Sequence, residues 1–275
     1  MKIAYFGYDP LSCCLDVFLQ QEYEYTVIYT GESSPFSDKV IEFATQNNLN
    51  LCFEKPTLAK MQLLVEQGVE LFFSAEYPWK IPVPTGLKYA INMHPTLLPE
   101  GRGMTPLPHL ILKHSHYAGI TFHKLENDFD SGDVLLQQAI ALENNETFDS
   151  LSAKIFQQTP ELLRALLSNL DDVYQNSQEQ GEGSYWPSIS KEQQSLDWQQ
   201  PTAQLLTRLR AFGSLGTYAD IAGQAYIITS AHGKQYQHQY SAGQVLLDNP
   251  QQIIVATVDG ELCIPKKALL FSAIS

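Results

Sequence analysis

The chain has 275 residues, of which 44% are hydrophobic and 17% charged, and its formal net charge is −13 at pH 7. This composition is typical of a globular protein with a substantial core, and it excludes an intrinsically disordered chain. Residues 1–200 carry a net charge of −14 and residues 201–275 carry +1, so neither part offers the basic face that a nucleic-acid substrate requires.

Membrane, export and metal-binding signals are missing from the sequence. No apolar run approaches the roughly 18 residues of a transmembrane helix, and the N-terminal apolar run is too short for a signal peptide, so we expect a cytosolic protein that binds no membrane. The four cysteines include no C-x-x-C pair, which favours free thiols. The seven histidines form no H-E-x-x-H motif, so no metal site is expected.

Strands alternate with helices over residues 1–170. The predicted strands are Met1–Phe6, Tyr25–Tyr29, Leu51–Phe53, Leu71–Ser74, Ala90–Met93, Ala118–Leu125 and Val134–Leu142. The predicted helices are Pro10–Gln21, Asp38–Asn47, Leu58–Gln67, Thr105–His114 and Phe148–Leu170. This alternation predicts an α/β fold with a Rossmann-like, doubly wound, mostly parallel sheet, whose last strand is antiparallel because only a short loop precedes it. The G-x-G-x-x-G fingerprint is missing, since only Gly7 follows the first strand, so a bound dinucleotide is not expected.

A change of composition divides the chain. Residues 171–183 are rich in polar side chains and glycine and are interpreted as a surface linker. We therefore predict a catalytic domain over residues 1–183 and a C-terminal domain over residues 184–275. The C-terminal domain is predicted to contain a helix and then short strands, namely Thr202–Phe212, Tyr226–Thr229, Gly243–Leu247, Ile253–Thr257 and Leu262–Ile264. Short strands separated by turns such as Asp259-Gly260 predict a small β-barrel.

Three polar residues are the candidate catalytic groups: Asn92 and His94 at the end of the fifth strand, and Asp130 on a glycine-containing loop. Side chains two residues apart on a strand lie on the same face, at the end of the sheet where such folds bind ligands. An imidazole moves protons near pH 7, an amide N–H donates to a developing oxyanion, and a carboxylate orients the imidazole. No serine or cysteine is placed as a nucleophile, so these groups suit acyl transfer in which the substrate supplies the nucleophile. On spacing alone the alternative stays open that Asn92 caps a turn, His94 belongs to the core and Asp130 is an ordinary loop residue.

The sequence around these residues resembles a known signature. The stretch I-N-M-H-P-T-L-L-P-E-G-R-G-M-T-P, which begins at Ile91, and D-F-D-S-G-D, which ends at Asp133, are similar to the signature of the 10-formyltetrahydrofolate-dependent formyltransferases. That pattern is matched here by Asn92, His94, Thr96, Leu98, Pro99, Arg102, Gly103, Pro106, Asp130 and Gly132. The family includes methionyl-tRNA formyltransferases, the enzyme half that formylates lipid A arabinose, and sugar-nucleotide N-formyltransferases. In the tRNA and arabinose enzymes the C-terminal domain is an oligonucleotide-binding-like barrel, which the resemblance implies here as well.

The resemblance also implies roles for individual residues. N10-formyltetrahydrofolate would be the co-substrate; Asn92 would donate to the oxyanion of the tetrahedral intermediate, and His94, held by Asp130, would manage the proton. Whether His94 or Asp130 is the formal base is left open. Contacts to the folate are expected from Ser74, Tyr77, Leu98, Asp128, Phe129 and Gly132, the last because a residue without a Cβ lets a flat ring approach the backbone. Contacts to the acceptor are expected from Thr96, Arg102 and Trp79, although Arg102 equally fits a role in tying down its loop and Trp79 a role in packing.

The acceptor amine is inferred from charge and length. The first part of the chain is acidic, and residues 30–40 contain no lysine-rich insertion, since Lys39 is the one lysine there. Both features favour a nucleotide-linked amino sugar, of the kind used in O-antigen biosynthesis, over tRNA as the acceptor. The alternatives are a methionyl-tRNA formyltransferase, formylation of another small amine, a folate-dependent hydrolase, and a folate-binding protein without activity. Small-molecule partners are therefore expected and nucleic acid is not, while a homodimer is left open.

Overall fold

The structure of the chain, a computed structural model, describes residues 1–271 and contains two compact units. The first unit consists of Met1–Pro106, Tyr117–Ala141 and Ser152–Trp186. The second consists, among the described residues, of Leu107–His116, Leu142–Leu151 and residues 187–271. The predicted domain boundary after Gly183 stays a prediction.

A seven-stranded sheet forms the centre of the first unit. Its strands are β1 Lys2–Gly7, β2 Glu24–Tyr29, β3 Leu51–Cys52, β4 Val69–Ala75, β5 Tyr89–Thr96, β6 Ala118–Lys124 and β7 Val134–Ala139. They are ordered β3-β2-β1-β4-β5-β6-β7, with β1 to β5 parallel and β6 antiparallel to both of its neighbours. The predicted Rossmann-like, mostly parallel sheet is confirmed, and β7 is antiparallel to β6 as predicted.

The helices up to residue 175 are α1 Cys13–Gln20, α2 Asp38–Gln46, α3 Leu58–Glu66, α4 Pro106–Leu112, α5 Phe148–Ser168 and α6 Leu170–Gln175. Helices α1 to α4 lie in connections between the strands of the sheet, and α5 and α6 follow β7. None of the helices within residues 1–271 has the length and apolar character needed to cross a membrane.

The strands at the centre of the sheet are apolar because both of their faces are covered. Phe72 and Phe73 are consecutive in β4 and point to opposite faces, as strand geometry requires. Phe73 packs against Phe18 of α1, with ring centroids 4.8 Å apart. Phe72 belongs to a second cluster, which includes Met61 of α3. This double burial makes the sheet a rigid support for the ends of β4 and β5.

The interpretation of residues 171–183 as a surface linker is wrong. Helix α6 continues to Gln175, and the backbone of Gln178 exchanges two hydrogen bonds of 2.8 Å with the backbone of Val134 at the start of β7. An edge strand offers unpaired backbone groups, and this segment satisfies some of them. This polar segment is therefore held to the sheet through its backbone and is not a free connection.

Two antiparallel sheets share one hydrophobic core in the second unit. The elements after residue 190 are α7 Lys191–Gln194, α8 Thr202–Phe212, β8 Thr217–Ile221, β9 Gln224–Ile228, β10 His232–Gln235, β11 Val245–Asp248, β12 Gln252–Ala256, β13 Gly260–Pro265 and β14 Leu269–Phe271. The sheets are ordered β10-β13-β12-β11 and β14-β9-β8. Their core contains Ile221 and Ile228 from one sheet, Val255 and Leu262 from the other, and Leu205 from α8.

The predicted β structure of the C-terminal part is confirmed. Asp259-Gly260 lies at the turn between β12 and β13, as the hairpin signal indicates. Three strands, β8, β10 and β14, are absent from the prediction. Strand β10 reads H-G-K-Q and is exposed at all four positions, so no alternation of buried and exposed residues marks it.

Candidate active site

The pairing of β5 with its neighbouring strands brings several polar residues together at one position of the sheet. Asn92 of β5 pairs with Ser74 of β4 on one side and with His123 of β6 on the other. Side chains directly opposite each other across a sheet point to the same face, and His94 follows Asn92 by two residues. The sheet therefore places Asn92, His94 and His123 on one face.

Asp130 reaches this face from the loop between β6 and β7. Its backbone has φ +56°, a left-handed conformation that aspartate tolerates better than most residues. Its Oδ1 accepts a hydrogen bond from Nδ2 of Asn92 at 3.3 Å and lies 3.4 Å from Nδ1 of His94. Its Oδ2 accepts from the backbone N–H of Gly103 at 2.9 Å. The structure thus brings together the three residues that the sequence singles out, with Asp130 only 9% exposed.

His123 is a fourth member of this cluster, and the sequence does not single it out. Its Nδ1 donates to the carbonyl oxygen of Lys124 at 2.8 Å, which leaves Nε2 as the acceptor for Nδ2 of Asn92 at 2.9 Å. Nε2 also lies 3.5 Å from Oδ1 of Asp130. The alternation of β6 predicts which face His123 occupies, but only the register with β5 shows that it meets Asn92.

The tautomer of His94 follows from its other contact. Nε2 lies 2.8 Å from the carbonyl oxygen of Gly101, so this nitrogen carries the hydrogen and donates it. In the neutral ring the lone pair is then on Nδ1, the atom that faces Asp130. A proton taken up by His94 is therefore bound at Nδ1, where the carboxylate stabilises it.

Burial and neighbouring charges set the ionisation of this pair. Burial lowers the pKa of His94 below its ordinary value of 6.5, against the opposing effects of Asp130 and the Gly101 carbonyl. Burial acts to raise the pKa of Asp130, but His94, His123 and the Gly103 N–H outweigh it and lower that pKa to about 2. At neutral pH a neutral imidazole consequently lies beside a carboxylate, so His94 can accept a proton.

A pocket of about 130 Å³ opens onto this cluster. Its wall contains Asn92, His94, His123 and Asp130, together with the predicted binding residues Ser74, Tyr77, Trp79, Asp128 and Phe129. The rings of Tyr77 and Trp79 meet edge to face with centroids 5.2 Å apart. Glu76 also lines the pocket, although the sequence does not single it out. Among residues 1–271, no group of three or more His, Cys, Asp or Glu side chains could hold a metal ion.

Leu98 and Thr96, which the sequence predicts as substrate contacts, lie outside the pocket wall. Leu98 is 3% exposed, and its backbone N–H donates to the hydroxyl of Thr121 at 3.3 Å. The Thr96 hydroxyl donates to the carbonyl oxygen of Glu100 at 2.7 Å. These contacts hold the loop after β5 in place, and contact of either residue with a substrate stays a prediction.

Arg102 and Gly132 also lie outside the pocket wall. The side chain of Gln180 connects these two residues by hydrogen bonds. The guanidinium of Arg102 donates two hydrogen bonds to Oε1 of Gln180, at 3.1 and 2.9 Å. Of the two predicted roles of Arg102, contact with the acceptor and tying down its loop, these bonds fit the second. Nε2 of Gln180 donates to the carbonyl oxygens of Gly132 at 2.6 Å and Asp130 at 3.0 Å. A Cβ on Gly132 would lie 2.1 Å from the carbonyl oxygen of Lys124, so close contact with backbone already requires a glycine here. Its contact with the folate stays a prediction.

Comparison with known proteins places both parts of the chain in one family. Residues 62–167 match the family described as Formyl transferase, and residues 188–269 match Formyl transferase, C-terminal domain. A methionyl-tRNA formyltransferase from Caldicellulosiruptor saccharolyticus is 29% identical over 231 residues, which are 77% of this chain and 73% of that protein.

Two solved structures share the fold. A variant of HypX from Aquifex aeolicus superposes with a TM-score of 0.70 at 20% identity, and the match covers 96% of this chain but 45% of that one. This chain thus spans about half the length of HypX. An N-formyltransferase from Helicobacter canadensis, solved with folinic acid and dTDP-3-aminofucose, superposes with a TM-score of 0.69 at 17% identity, covering 96% of this chain and 99% of that one.

Proposed function

Because the chain belongs to the formyl transferase family, we propose that it transfers the formyl group of N10-formyltetrahydrofolate to the primary amine of a nucleotide-linked amino sugar. The observation that carries this proposal is the buried contact of Asn92, His94 and Asp130 at the wall of a pocket. An imidazole, an amide and a carboxylate without a protein nucleophile suit attack by an amine that the substrate brings.

The proposed reaction assigns each proton to an atom. The amine nitrogen attacks the formyl carbon, and Nδ1 of His94 takes the proton that this nitrogen loses. Asp130 stabilises the imidazolium, which then gives its proton to N10 of the folate as the bond between that nitrogen and the formyl carbon breaks. Both roles follow from the neutral state of His94 and the anionic state of Asp130.

Asn92 is the proposed donor to the oxyanion. Both hydrogens of its carboxamide are engaged, one by His123 at 2.9 Å and the other by Asp130 at 3.3 Å. Donation to a substrate therefore requires an exchange, and the longer bond to Asp130 is the one that we expect to be exchanged. The bond to His123 keeps the amide in place during that exchange.

The pocket wall fits a flat, polar ring system such as the pterin of a folate. Tyr77 and Trp79 supply aromatic surface, and the exposed ring of Phe129 lies opposite the ammonium of Lys80 at 5.5 Å. The hydroxyl of Tyr77 is buried and has no hydrogen-bond partner among the described residues. A buried unpaired hydroxyl is costly, so a ligand that pairs with it gains affinity. Asp128, Phe129 and Ser74 are proposed as further folate contacts.

A nucleotide-linked amino sugar is favoured as the acceptor by the charge of −14 over residues 1–200, because tRNA binding requires a basic surface. The likeness to the Helicobacter canadensis enzyme over nearly the full length of both chains agrees with this choice. The second candidate is a methionyl-tRNA formyltransferase, which the name of the Caldicellulosiruptor relative favours.

A panel of acceptors tests the proposal. The purified protein is mixed with N10-formyltetrahydrofolate and, separately, dTDP-, UDP- and GDP-linked amino sugars, charged initiator tRNA, a small peptide amine, or no amine. We expect release of tetrahydrofolate with at least one nucleotide-linked amino sugar and none with the matching hydroxyl sugar. Release only with charged tRNA would establish the second candidate, and formate release without any amine would identify a hydrolase. A His94→Ala variant that binds folate but does not turn over separates an enzyme from a folate-binding protein.

A further inference from the structure

Glu76 stands beside the catalytic cluster without a role in the reaction described above. It directly follows Ala75, the last residue of β4, which pairs with Met93 of β5, the residue before His94. Its side chain lines the same pocket as His94 and Asp130. Its backbone has φ +58°, a strained conformation for a residue with a long side chain.

The carboxylate of Glu76 has no protein partner. Among residues 1–271 it makes no hydrogen bond or ion pair. The neighbouring cation, Lys80, is engaged by Asp128 at 3.7 Å and by the ring of Phe129. An anionic group that faces a pocket next to a second carboxylate, Asp130, and lacks a cation attracts one from a ligand.

The surroundings also weaken the acidity of Glu76. Glu76 keeps an exposed surface at the pocket, and the protein packed around it, followed by the charge of Asp130, raises its pKa to about 7. The charge of Glu76 is also among the effects that raise the pKa of Tyr5 in β1. The remaining titratable groups of the pocket are Tyr77, Lys80, His94, His123, Glu126, Asp128 and Asp130.

We propose that Glu76 recognises the acceptor as a cation: it pairs with the protonated primary amine and takes the proton that blocks its lone pair. This inference rests on the proposed formyl transfer. The ammonium group loses one proton to the Glu76 carboxylate, which becomes a carboxylic acid, and leaves a neutral amine beside His94. The amine then attacks, and its next proton goes to Nδ1 of His94. A hydroxyl group or water brings no charge to Glu76, so this residue makes the site selective for amines.

A neutral isostere tests this role. Glu76→Gln is compared with the wild type and with Glu66→Gln, which removes one exposed carboxylate at the end of α3. Binding of dTDP-3-aminofucose and dTDP-fucose is followed by the change in tryptophan fluorescence, to which Trp79 in the pocket wall contributes. We expect the wild type and Glu66→Gln to prefer the amine by about 10- to 100-fold, the range of a charged hydrogen bond, and Glu76→Gln to lose that preference. Folinic acid affinity should stay within about twofold in all three proteins, since the lost contact is to the acceptor.

The kinetic readout separates recognition from folding. In the wild type kcat/KM for the amine should fall as the pH drops through about 7, where Glu76 gains its proton. In Glu76→Gln that step should disappear, and activity should instead keep rising with pH as the free amine forms in solution. An unchanged preference for the amine, or an unchanged pH profile, overturns the proposal. So does a weakened affinity for folinic acid with the preference intact, because Glu76 would then contact the folate.

Failure of the nucleotide-sugar assignment is recognised separately. If neither sugar nucleotide binds the wild type, the proposed acceptor is wrong, and Glu76 is tested with ethanolammonium as a minimal probe. The carboxyl resonance of Glu76 in carbon-13-labelled protein is assigned by its loss in Glu76→Gln and titrated with pH. A lower titration midpoint in ethanolammonium chloride than in sodium chloride plus ethylene glycol supports the proposal, and equal midpoints overturn it.

Discussion

Asn92 and His123 are joined across strands β5 and β6 by a hydrogen bond of 2.9 Å between Nδ2 and Nε2. Because Nδ1 of His123 donates to the carbonyl of Lys124, the ring can only accept at Nε2 in its neutral form. This bond fixes which end of the Asn92 carboxamide faces His123. The other amide hydrogen of Asn92, which is directed at Asp130, is then the one that can be donated to a substrate.

Replacing His123 by leucine should reduce turnover more than substrate affinity. Leucine fills the space but removes the acceptor, so the Asn92 amide is free to rotate and is presented to the oxyanion only part of the time. We expect kcat to fall by about 10- to 100-fold, less than the roughly 10²- to 10³-fold cost of removing an oxyanion donor outright. Tetrahydrofolate release under saturating substrates measures kcat.

His123→Gln is the matched control, because its side-chain oxygen can accept from Asn92. It should recover part of the lost kcat while the leucine variant does not. Equal rates for both variants would show that the acceptor at this position does not matter for turnover.

Asp130→Asn should retain the fold and lose most of the activity. The neutral amide can still accept from the Gly103 N–H, which Asp130 binds at 2.9 Å, but it cannot stabilise a protonated His94. We expect kcat to fall by about 10²- to 10⁴-fold, the usual contribution of acid–base catalysis. The exposed Asp16→Asn variant on α1 controls for the loss of one charge and should behave as the wild type.

The His94 ring should titrate below pH 6.5. Burial is the largest effect on its pKa and favours the neutral ring, so the native protein binds this proton at lower pH than the unfolded chain does. The free energy of unfolding therefore decreases as the pH falls below 6.5, since the unfolded state gains the proton first. The Cε1 proton resonance of His94, followed by NMR, measures the midpoint directly. In Asp130→Asn the midpoint should shift further down, and a midpoint above 6.5 in the wild type would mean that the charge of Asp130 exceeds the effect of burial.

Gly132→Ala should destabilise the loop that carries Asp130. The added Cβ would lie 2.1 Å from the carbonyl oxygen of Lys124, so backbone on one side must move. We expect a loss of about 1–3 kcal/mol in the free energy of unfolding, as for overpacked sites, measured by urea denaturation. Gly181→Ala is the control, because no atom lies within 4 Å of its added Cβ. Equal stability of the two variants would contradict this prediction.

Local patterns predict the elements of this protein well, because they record which faces of a segment are buried. The alternating strands and helices of the first part, and helix Thr202–Phe212, lie within a few residues of their predicted bounds. The linker over residues 171–183 is wrong for the opposite reason: its glutamines are polar, but Gln178 and Gln180 bind backbone groups that lie far away in the sequence. Composition reports that a side chain is polar and not whether it has a partner.

The sequence by itself determined the fold class and singled out Asn92, His94 and Asp130 as candidates, since strand alternation and a dense local motif are properties of consecutive residues. Only the tertiary structure decided which side chains meet. It added His123 through the register of β5 and β6, assigned Arg102 to Gln180, and placed Glu76 in the pocket beside His94. It also set the ionisation states, because burial and the distance between two charges depend on segments that fold together from distant parts of the chain.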